Sequence, residues 1–120
     1  SAERSTAGGR RLYAYIDGAS AHLSAFDGGR LLTANSYPAR HTTDVAYFAL
    51  NMARRLAFDL ETDTCYVAGA REPRERVAQE LRNYLRHVNP INPSAEFNRH
   101  PSTRSGQVPY DLTCFLLGMV

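Results

Sequence analysis

The chain has 120 residues, of which 43% are hydrophobic and 22% charged, and its formal net charge at pH 7 is +2. This length suits one domain with its own core, and the composition is that of an ordinary globular protein. No apolar run approaches the roughly 18 residues that span a bilayer, so neither a membrane segment nor a membrane partner is predicted. All 14 basic residues are arginine, which excludes a Walker-type lysine, and the weak net charge argues against a nucleic-acid partner.

The start of the chain and its cysteines bear on domain organisation and compartment. Residues 1–9 are small and polar, and we expect them to form a flexible linker before a single lobe over residues 10–120. Cys65 and Cys114 are far apart and lie in apolar segments. We expect buried, reduced thiols in a cytoplasmic protein, with a disulfide as the alternative.

Three strands are predicted first. The residues from Arg11 to Asp17 alternate apolar side chains with aromatic or polar ones, which is the pattern of a strand with one apolar face. The segment 21–26 repeats this alternation, and Asp-Gly-Gly (residues 27–29) then favours a tight hairpin before a third strand. Pro38 ends the third strand, because proline cannot donate to a ladder. Three consecutive antiparallel strands are therefore expected.

A helix and a buried strand follow. The segment 41–60 has a helical period, with these apolar side chains on one face: Val45, Phe48, Ala49, Met52 and Leu56. Thr42 or Thr43 is predicted to cap this helix, and Asp44 in its first turn suits the helix dipole. Residues 64–70 (TCYVAGA) are nearly all apolar and end in small residues, as expected for a central strand buried on both faces.

The last part of the chain predicts two more helices. The first begins near Pro73, and its apolar face is Val77, Leu81, Tyr84, Leu85 and Val88. The segment after it contains three prolines and is predicted to be a loop with a short edge strand near Phe97. A C-terminal helix opens at Pro109, with Leu112, Phe115, Leu116 and Met119 on one side. The fold is therefore α/β and ribonuclease-H-like, a mixed sheet of about five strands in the order βββαβα plus a C-terminal helix.

Two motifs in this order resemble the second half of an actin-like ATPase. IDGASAHLSAF is similar to the phosphate hairpin of that superfamily, and YVAGAREP is similar to its adenosine motif. In its sequence segments the chain more closely resembles an uncharacterised protein family, typical of Bacteroidetes, whose members have an actin-like ATPase fold. The likeness is to the C-terminal half of these proteins. Four segments carry this likeness: LLTANSYPARHTTDVAYFALNMARRLAFDL, YVAGA, LRNYLRHV and VPYDLTCFLLGM.

The resemblance implies where a nucleotide would bind. Asp17, Gly18 and Ser20 would hold phosphate, with Asp17 also as the magnesium ligand, and Gly69 would lie beneath the adenosine. The chain departs from that pattern in two places. Its hairpin offers only Gly18 where active members have several glycines, and Ala68 stands before Gly69 where a second glycine is usual. In this superfamily a complete site also lies between two lobes.

The leading interpretation is therefore a non-catalytic actin-like domain that acts as a structural or protein-interaction module. Under this interpretation we expect no catalytic residues and no resident cofactor, and we do not expect the chain alone to be an enzyme. The alternative is an ATP- and magnesium-binding lobe of a two-lobed ATPase that another segment or subunit completes. Either interpretation predicts a partner, which is a second lobe of the same protein or another copy of the chain.

A ribonuclease-H-like nuclease is a further alternative, because such enzymes hold two metals with clustered carboxylates. Its candidate metal ligands are Asp17, Asp44 and Asp111. However, Asp44 is better explained by helix capping, and Asp111 by its position in the first turn of the last helix. His22 is interpreted as a surface or half-buried residue, since the four histidines show no metal-ligand spacing. Tyr13 and Tyr15 share a strand face with Asp17, and we expect helices to cover that face, with an interface as the alternative.

Overall fold

A computed structural model describes residues 9–92 of the chain. Its strands are β1 (Arg10–Asp17), β2 (Ser20–Asp27), β3 (Arg30–Pro38), β4 (Thr64–Gly69) and β5 (His87–Ile91). Its helices are α1 (Thr42–Arg55) and α2 (Arg71–Leu81). Neither of these two helices has the length and hydropathy of a membrane-spanning segment.

The strands form one mixed sheet in the order β3-β2-β1-β4-β5. β1, β2 and β3 are antiparallel neighbours, whereas β1, β4 and β5 are parallel. Two tight turns make the hairpins, and both use a glycine with positive φ, 61° at Gly18 and 65° at Gly28. The predicted three-stranded meander and the central position of the 64–70 segment are both confirmed.

Both helices pack on the same face of the sheet, which we call the core face. α1 lies in the connection from β3 to β4, and α2 lies in the connection from β4 to β5. Both connections join parallel strands and move in the same direction across the sheet, so right-handed crossovers place α1 and α2 on one side. The core face carries Leu12, Ala14 and Ile16 of β1 and their cross-strand neighbours. Val67 of β4 is fully buried there, beneath the helices.

The opposite face, which we call the second face, carries an aromatic cluster. Tyr13 stacks on Tyr66 with 5.0 Å between ring centroids and meets Phe26 edge-on at 5.7 Å. Tyr13 and Phe26 are both buried. The helices α1 and α2 do not cover this face, because the crossover direction places them on the core face. The predicted helix from Pro109 lies outside the described residues.

The start of α1 differs from the predicted cap. His41, not Thr42 or Thr43, is the N-cap residue. The reason is the position of Asp44, whose carboxylate accepts a hydrogen bond from the backbone N–H of His41 at 3.2 Å. An acidic residue at the third helical position reaches back three residues, and this contact places the cap at His41. Helix capping therefore accounts for Asp44, as predicted.

The second helix is shorter than predicted, and the fifth strand lies earlier. α2 ends at Leu81, Tyr84 is about half exposed, and Val88 belongs to β5, where it pairs with Cys65 of β4. A turn redirects the chain, in which the backbone N–H of Leu85 donates to the carbonyl of Leu81 at 2.8 Å, and the backbone N–H of Arg86 then donates to the carbonyl of Leu60 at 2.9 Å. The described sheet therefore takes its fifth strand from His87–Ile91, whereas the strand predicted near Phe97 lies outside the described residues.

A buried arginine ties the amino end of β1 to its surroundings. Arg10 is 1% exposed, and its Nε lies 3.4 Å from the carboxylate of Asp27 at the end of β2. Its Nη1 donates to the carbonyl of Leu56, and its backbone N–H donates to Asp63 at 3.2 Å. Asp63 also accepts from the backbone N–H of Asp59 at 2.7 Å. This cluster joins the first hairpin to the loop between α1 and β4.

Candidate functional site

The four predicted site residues meet at one edge of the sheet. β1 and β4 run in parallel and end at Asp17 and Gly69, and Ile16 pairs with Gly69. Across the first hairpin, Asp17 pairs with Ser20. We call this the carboxyl edge, because the parallel strands end here, and open α/β sheets bind ligands outside such ends. The structure therefore brings Asp17, Gly18, Ser20 and Gly69 to the same edge.

Gly69 is required by the packing of two neighbouring strands. Its φ is 136°, a conformation that side chains rarely adopt. A Cβ at this position would lie 2.7 Å from the carbonyl oxygen of Ile16 and 3.2 Å from the Ile16 Cβ. A contact under 3.0 Å essentially never occurs for real Cβ atoms. The sheet itself therefore accounts for glycine at the end of β4.

Gly18 has a different environment from Gly69. Its φ of 61° is the left-handed conformation that tight hairpin turns use, and no atom lies within 4 Å of a Cβ built there. The hairpin turn is a sufficient reason for this glycine, and the open space beyond it leaves its backbone accessible.

Asp17 belongs to a polar row on the second face. Its carboxylate is 65% exposed and lies 3.8 Å from Nε2 of His22, while Nδ1 of the same ring is hydrogen-bonded to the hydroxyl of Ser36 at 2.7 Å. The ring of Tyr15 stacks beside His22 with 6.0 Å between centroids. The row crosses β1, β2 and β3. Among residues 9–92, no group of three or more His, Cys, Asp or Glu side chains is arranged to hold a metal ion.

The contact between His22 and Ser36 could not be read from the sequence. At the turn, Phe26 pairs with Leu31, and that register would place Asn35 opposite His22. A bulge beside Ala25 shifts the later pairs by one residue, so Ser36 faces His22 instead. A one-residue shift moves side chains to the other face of a strand, and nothing local in the sequence marks its position.

The amino end of α2 also lies at the carboxyl edge. The helix begins at Arg71, and its N-cap residue, Ala70, has no side chain to bond the first amides. Arg74 is the basic side chain that folds back toward this edge, where its Nη1 donates to the carbonyl of Gly69 at 3.5 Å and its Nε lies 3.4 Å from the carboxylate of Glu75. The positive helix end favours an anion, but Arg74 already contacts a carboxylate and a carbonyl.

A polar cavity lies elsewhere on the protein. Its volume is about 320 Å³, and Thr42 of α1 and the following residues at or near α2 line it: Arg76, Gln79, Glu80 and Asn83. None of the four predicted site residues contributes to this lining. The cavity and the carboxyl edge are therefore separate features.

Cys65 is a buried thiol, as predicted. It is free and fully buried within β4, and desolvation raises its pKa from 9.0 to about 12. The thiol therefore keeps its proton at neutral pH and is not a nucleophile there. Cys114 lies outside the described residues.

Comparison with known proteins places the chain in a family. Residues 1–88 match the family described as "Protein of unknown function (DUF3822)". The chain belongs to the DUF3822 family. A search of curated proteins found no match.

Two solved structures resemble the DUF3822 chain. One is a Bacteroides thetaiotaomicron protein with actin-like ATPase fold and unknown function, at 26% sequence identity and a TM-score of 0.65. That alignment covers 71% of this chain and 33% of the other. The second is the PPX-GPPA enzyme of Aquifex aeolicus, at 15% identity and a TM-score of 0.42, with 70% and 36% of the two chains covered. The DUF3822 chain thus spans about one third of the length of each.

The similarity to the Bacteroides protein confirms the predicted fold class. The DUF3822 chain is an α/β protein with a mixed five-stranded sheet of the actin-like, ribonuclease-H-like kind. The predicted resemblance to an uncharacterised family with this fold is also confirmed.

Proposed function

We propose that this chain is a non-catalytic actin-like lobe that acts as a structural or protein-interaction module. The observation that carries the proposal is the contact between Gly69 and Ile16. In an adenosine motif a glycine leaves room for the base, but here the space beside Gly69 is filled by the backbone of β1 at 2.7 Å from the Cβ position. The strand pairing thus explains the glycine without a ligand.

The surroundings of Asp17 support the same proposal. A carboxylate that orients a metal-bound water needs further oxygen ligands or phosphates near the ion. The neighbour of Asp17 is instead the imidazole of His22 at 3.8 Å, and the Asp17 side chain is 65% exposed. Arg74, the basic side chain folded toward the carboxyl edge, contacts Glu75 and the carbonyl of Gly69.

One observation favours a second candidate function, an ATP- and magnesium-binding lobe of a two-lobed ATPase. Asp17, Gly18, Ser20 and Gly69 share the carboxyl edge, and the positive end of α2 lies beside them. The chain aligns with 33% of the Bacteroides protein, so another segment or subunit would complete such a site. In that arrangement Asp17 would hold magnesium, Gly18 and Ser20 would contact phosphate, and Gly69 would lie beneath adenosine.

Isothermal titration calorimetry with ATP and magnesium separates the two functions. It is performed on the 120-residue chain and on any longer polypeptide that contains it. We expect no saturable heat up to about 1 mM nucleotide. Saturable binding that Asp17→Asn abolishes would support the ATPase lobe and overturn our proposal. Glu61→Gln is the matched control, because it removes one carboxylate charge from an exposed side chain in the loop before β4.

A further inference from the structure

We infer that the outer edge of β3 is the docking surface of this lobe and that its partner is β3 of a second copy, paired antiparallel across a two-fold axis. The inference rests on the proposed function, because it names the partner and the surface of the interaction module.

β3 is an open edge of the described sheet. It is the terminal strand in the order, and within residues 9–92 β2 is its only strand neighbour. It has nine residues, and none of them is buried. An edge strand presents unpaired N–H and C=O groups on alternate residues, which are a template for another strand.

Edge strands usually carry charged residues or prolines that prevent pairing with another chain, and the middle of β3 has neither. Charged residues and prolines stand only at its ends, Arg30 at one and Pro38 at the other. The bulge leaves Leu32 as the extra residue, because Phe26 pairs with Leu31 and Ala25 pairs with Thr33. Residues 33–37 therefore form a regular, uncharged stretch that a second strand can pair with.

Exposed apolar side chains flank this edge. Tyr37 of β3 stacks on Phe48 of α1, with 4.4 Å between centroids and an interplanar angle of 7°. Phe48 contacts Tyr47, which is 65% exposed, and Leu31 of β3 is 54% exposed. Leu31 and Tyr47 are two of the three large hydrophobic side chains that the described part of the chain exposes. Apolar surface beside an open backbone edge indicates an interface.

The edge is complementary to a copy of itself. A two-fold axis at Asn35 places Thr33 opposite Tyr37 and Ala34 opposite Ser36, and each pair shares a sheet face because the alternation after the bulge is regular. The two Arg30 side chains then lie at opposite ends of the ladder, and the paired stretch 33–37 itself contains no charged residue. The contact is isologous, and the two α1 helices flank the seam on the same side.

The size of the edge sets the expected affinity. A five-residue ladder with its flanking aromatic side chains buries less than about 1,000 Å², which is typical of weak interfaces. We therefore expect a dissociation constant between about 10 µM and 1 mM for the dimer.

Sedimentation equilibrium of the 120-residue chain tests the inference. The wild type is expected to dimerise as its concentration rises to about 1 mM. Asn35→Lys places two lysines opposite each other at the axis, and it should raise the dissociation constant about tenfold or more. Asn83→Lys is the control, since Asn83 is an exposed asparagine after α2 and not on β3, and this variant should dimerise like the wild type.

A mixing experiment distinguishes charge repulsion at the interface from a folding defect of the variant. Asn35→Lys and Asn35→Glu alone should each dimerise more weakly than the wild type, but their mixture should associate more strongly than either variant alone because lysine then faces glutamate. A wild type that stays monomeric, an Asn35→Lys variant that dimerises normally, or a mixture that associates no more strongly than either variant alone would each overturn the inference.

A cysteine trap reports the register. In a Cys114→Ser chain, Asn35→Cys should form a disulfide with its own copy, because residues at the axis face each other across the pair. Thr33→Cys should not, since its partner is Tyr37. A disulfide at both positions would indicate parallel pairing and contradict the two-fold arrangement.

The two proposals fail separately. A monomeric chain that binds no nucleotide overturns the docking surface alone. Saturable binding of ATP and magnesium overturns the non-catalytic role, whatever the oligomeric state.

Discussion

The substitution Gly69→Ala tests why the end of β4 is glycine. Alanine would need φ near 136° and would place its Cβ 2.7 Å from the Ile16 carbonyl oxygen. Backbone strain at such a φ costs about 1–3 kcal/mol, and overpacking adds about 1–3 kcal/mol. The lower entropy of the unfolded alanine chain offsets about 0.4–1 kcal/mol. We therefore expect a loss of about 1–5.6 kcal/mol from a total stability of about 5–15 kcal/mol.

Two other glycines are matched controls. Gly18 has φ 61° but open space around its Cβ position, so Gly18→Ala should lose only about 1 kcal/mol. Gly29 has open space and no such φ, so Gly29→Ala should range from no change to a gain of about 1 kcal/mol. Urea unfolding of the 120-residue chain measures all three. If Gly69→Ala lowers the free energy of unfolding no more than Gly18→Ala does, the strand-packing explanation is wrong.

Two further predictions concern buried groups. Because burial raises the pKa of the Cys65 thiol to about 12, the unfolded thiol loses its proton above pH 9 while the folded one keeps it. The free energy of unfolding should therefore fall by about 1.4 kcal/mol between pH 8 and 10, and urea unfolding of Cys65→Ala should lack this contribution; equal slopes would contradict it. Arg10→Met removes the cation beside the buried Asp27 and should cost about 3–5 kcal/mol in thermal unfolding. Arg86→Met, in an exposed pair with Glu61, should cost less than about 1 kcal/mol, and similar losses for the two variants would contradict the role of burial.

Local patterns predict most of this fold. The change from a period of two to a helical period separates β3 from α1, and the apolar run of 64–70 predicts a central strand. The end of α2 could not be predicted in the same way. Leu81, Leu85 and Val88 keep the spacing i, i+4 and i+7, which a helix satisfies as well as a turn and a strand. Only the pairing of Val88 with Cys65 decides between them, and that contact is tertiary.

The candidate site likewise has a part that the sequence predicts and a part that only tertiary contacts decide. Topology alone predicts that Asp17 and Gly69 meet, because the ends of neighbouring parallel strands share an edge. The bond of His22 to Ser36 depends on a bulge between β2 and β3 that leaves no mark in the sequence. The ion pair of Arg10 likewise joins residues that are distant along the chain.

The central claim is that strand and turn geometry, not a nucleotide, accounts for the residues of the carboxyl edge. The most direct measurement is a titration of the isotope-labelled chain with ATP and magnesium, followed through the backbone amide signals of Gly18 and Gly69 in NMR spectra. We expect both signals to stay in place up to about 1 mM nucleotide. Saturable shifts of both signals that Asp17→Asn removes would contradict the account.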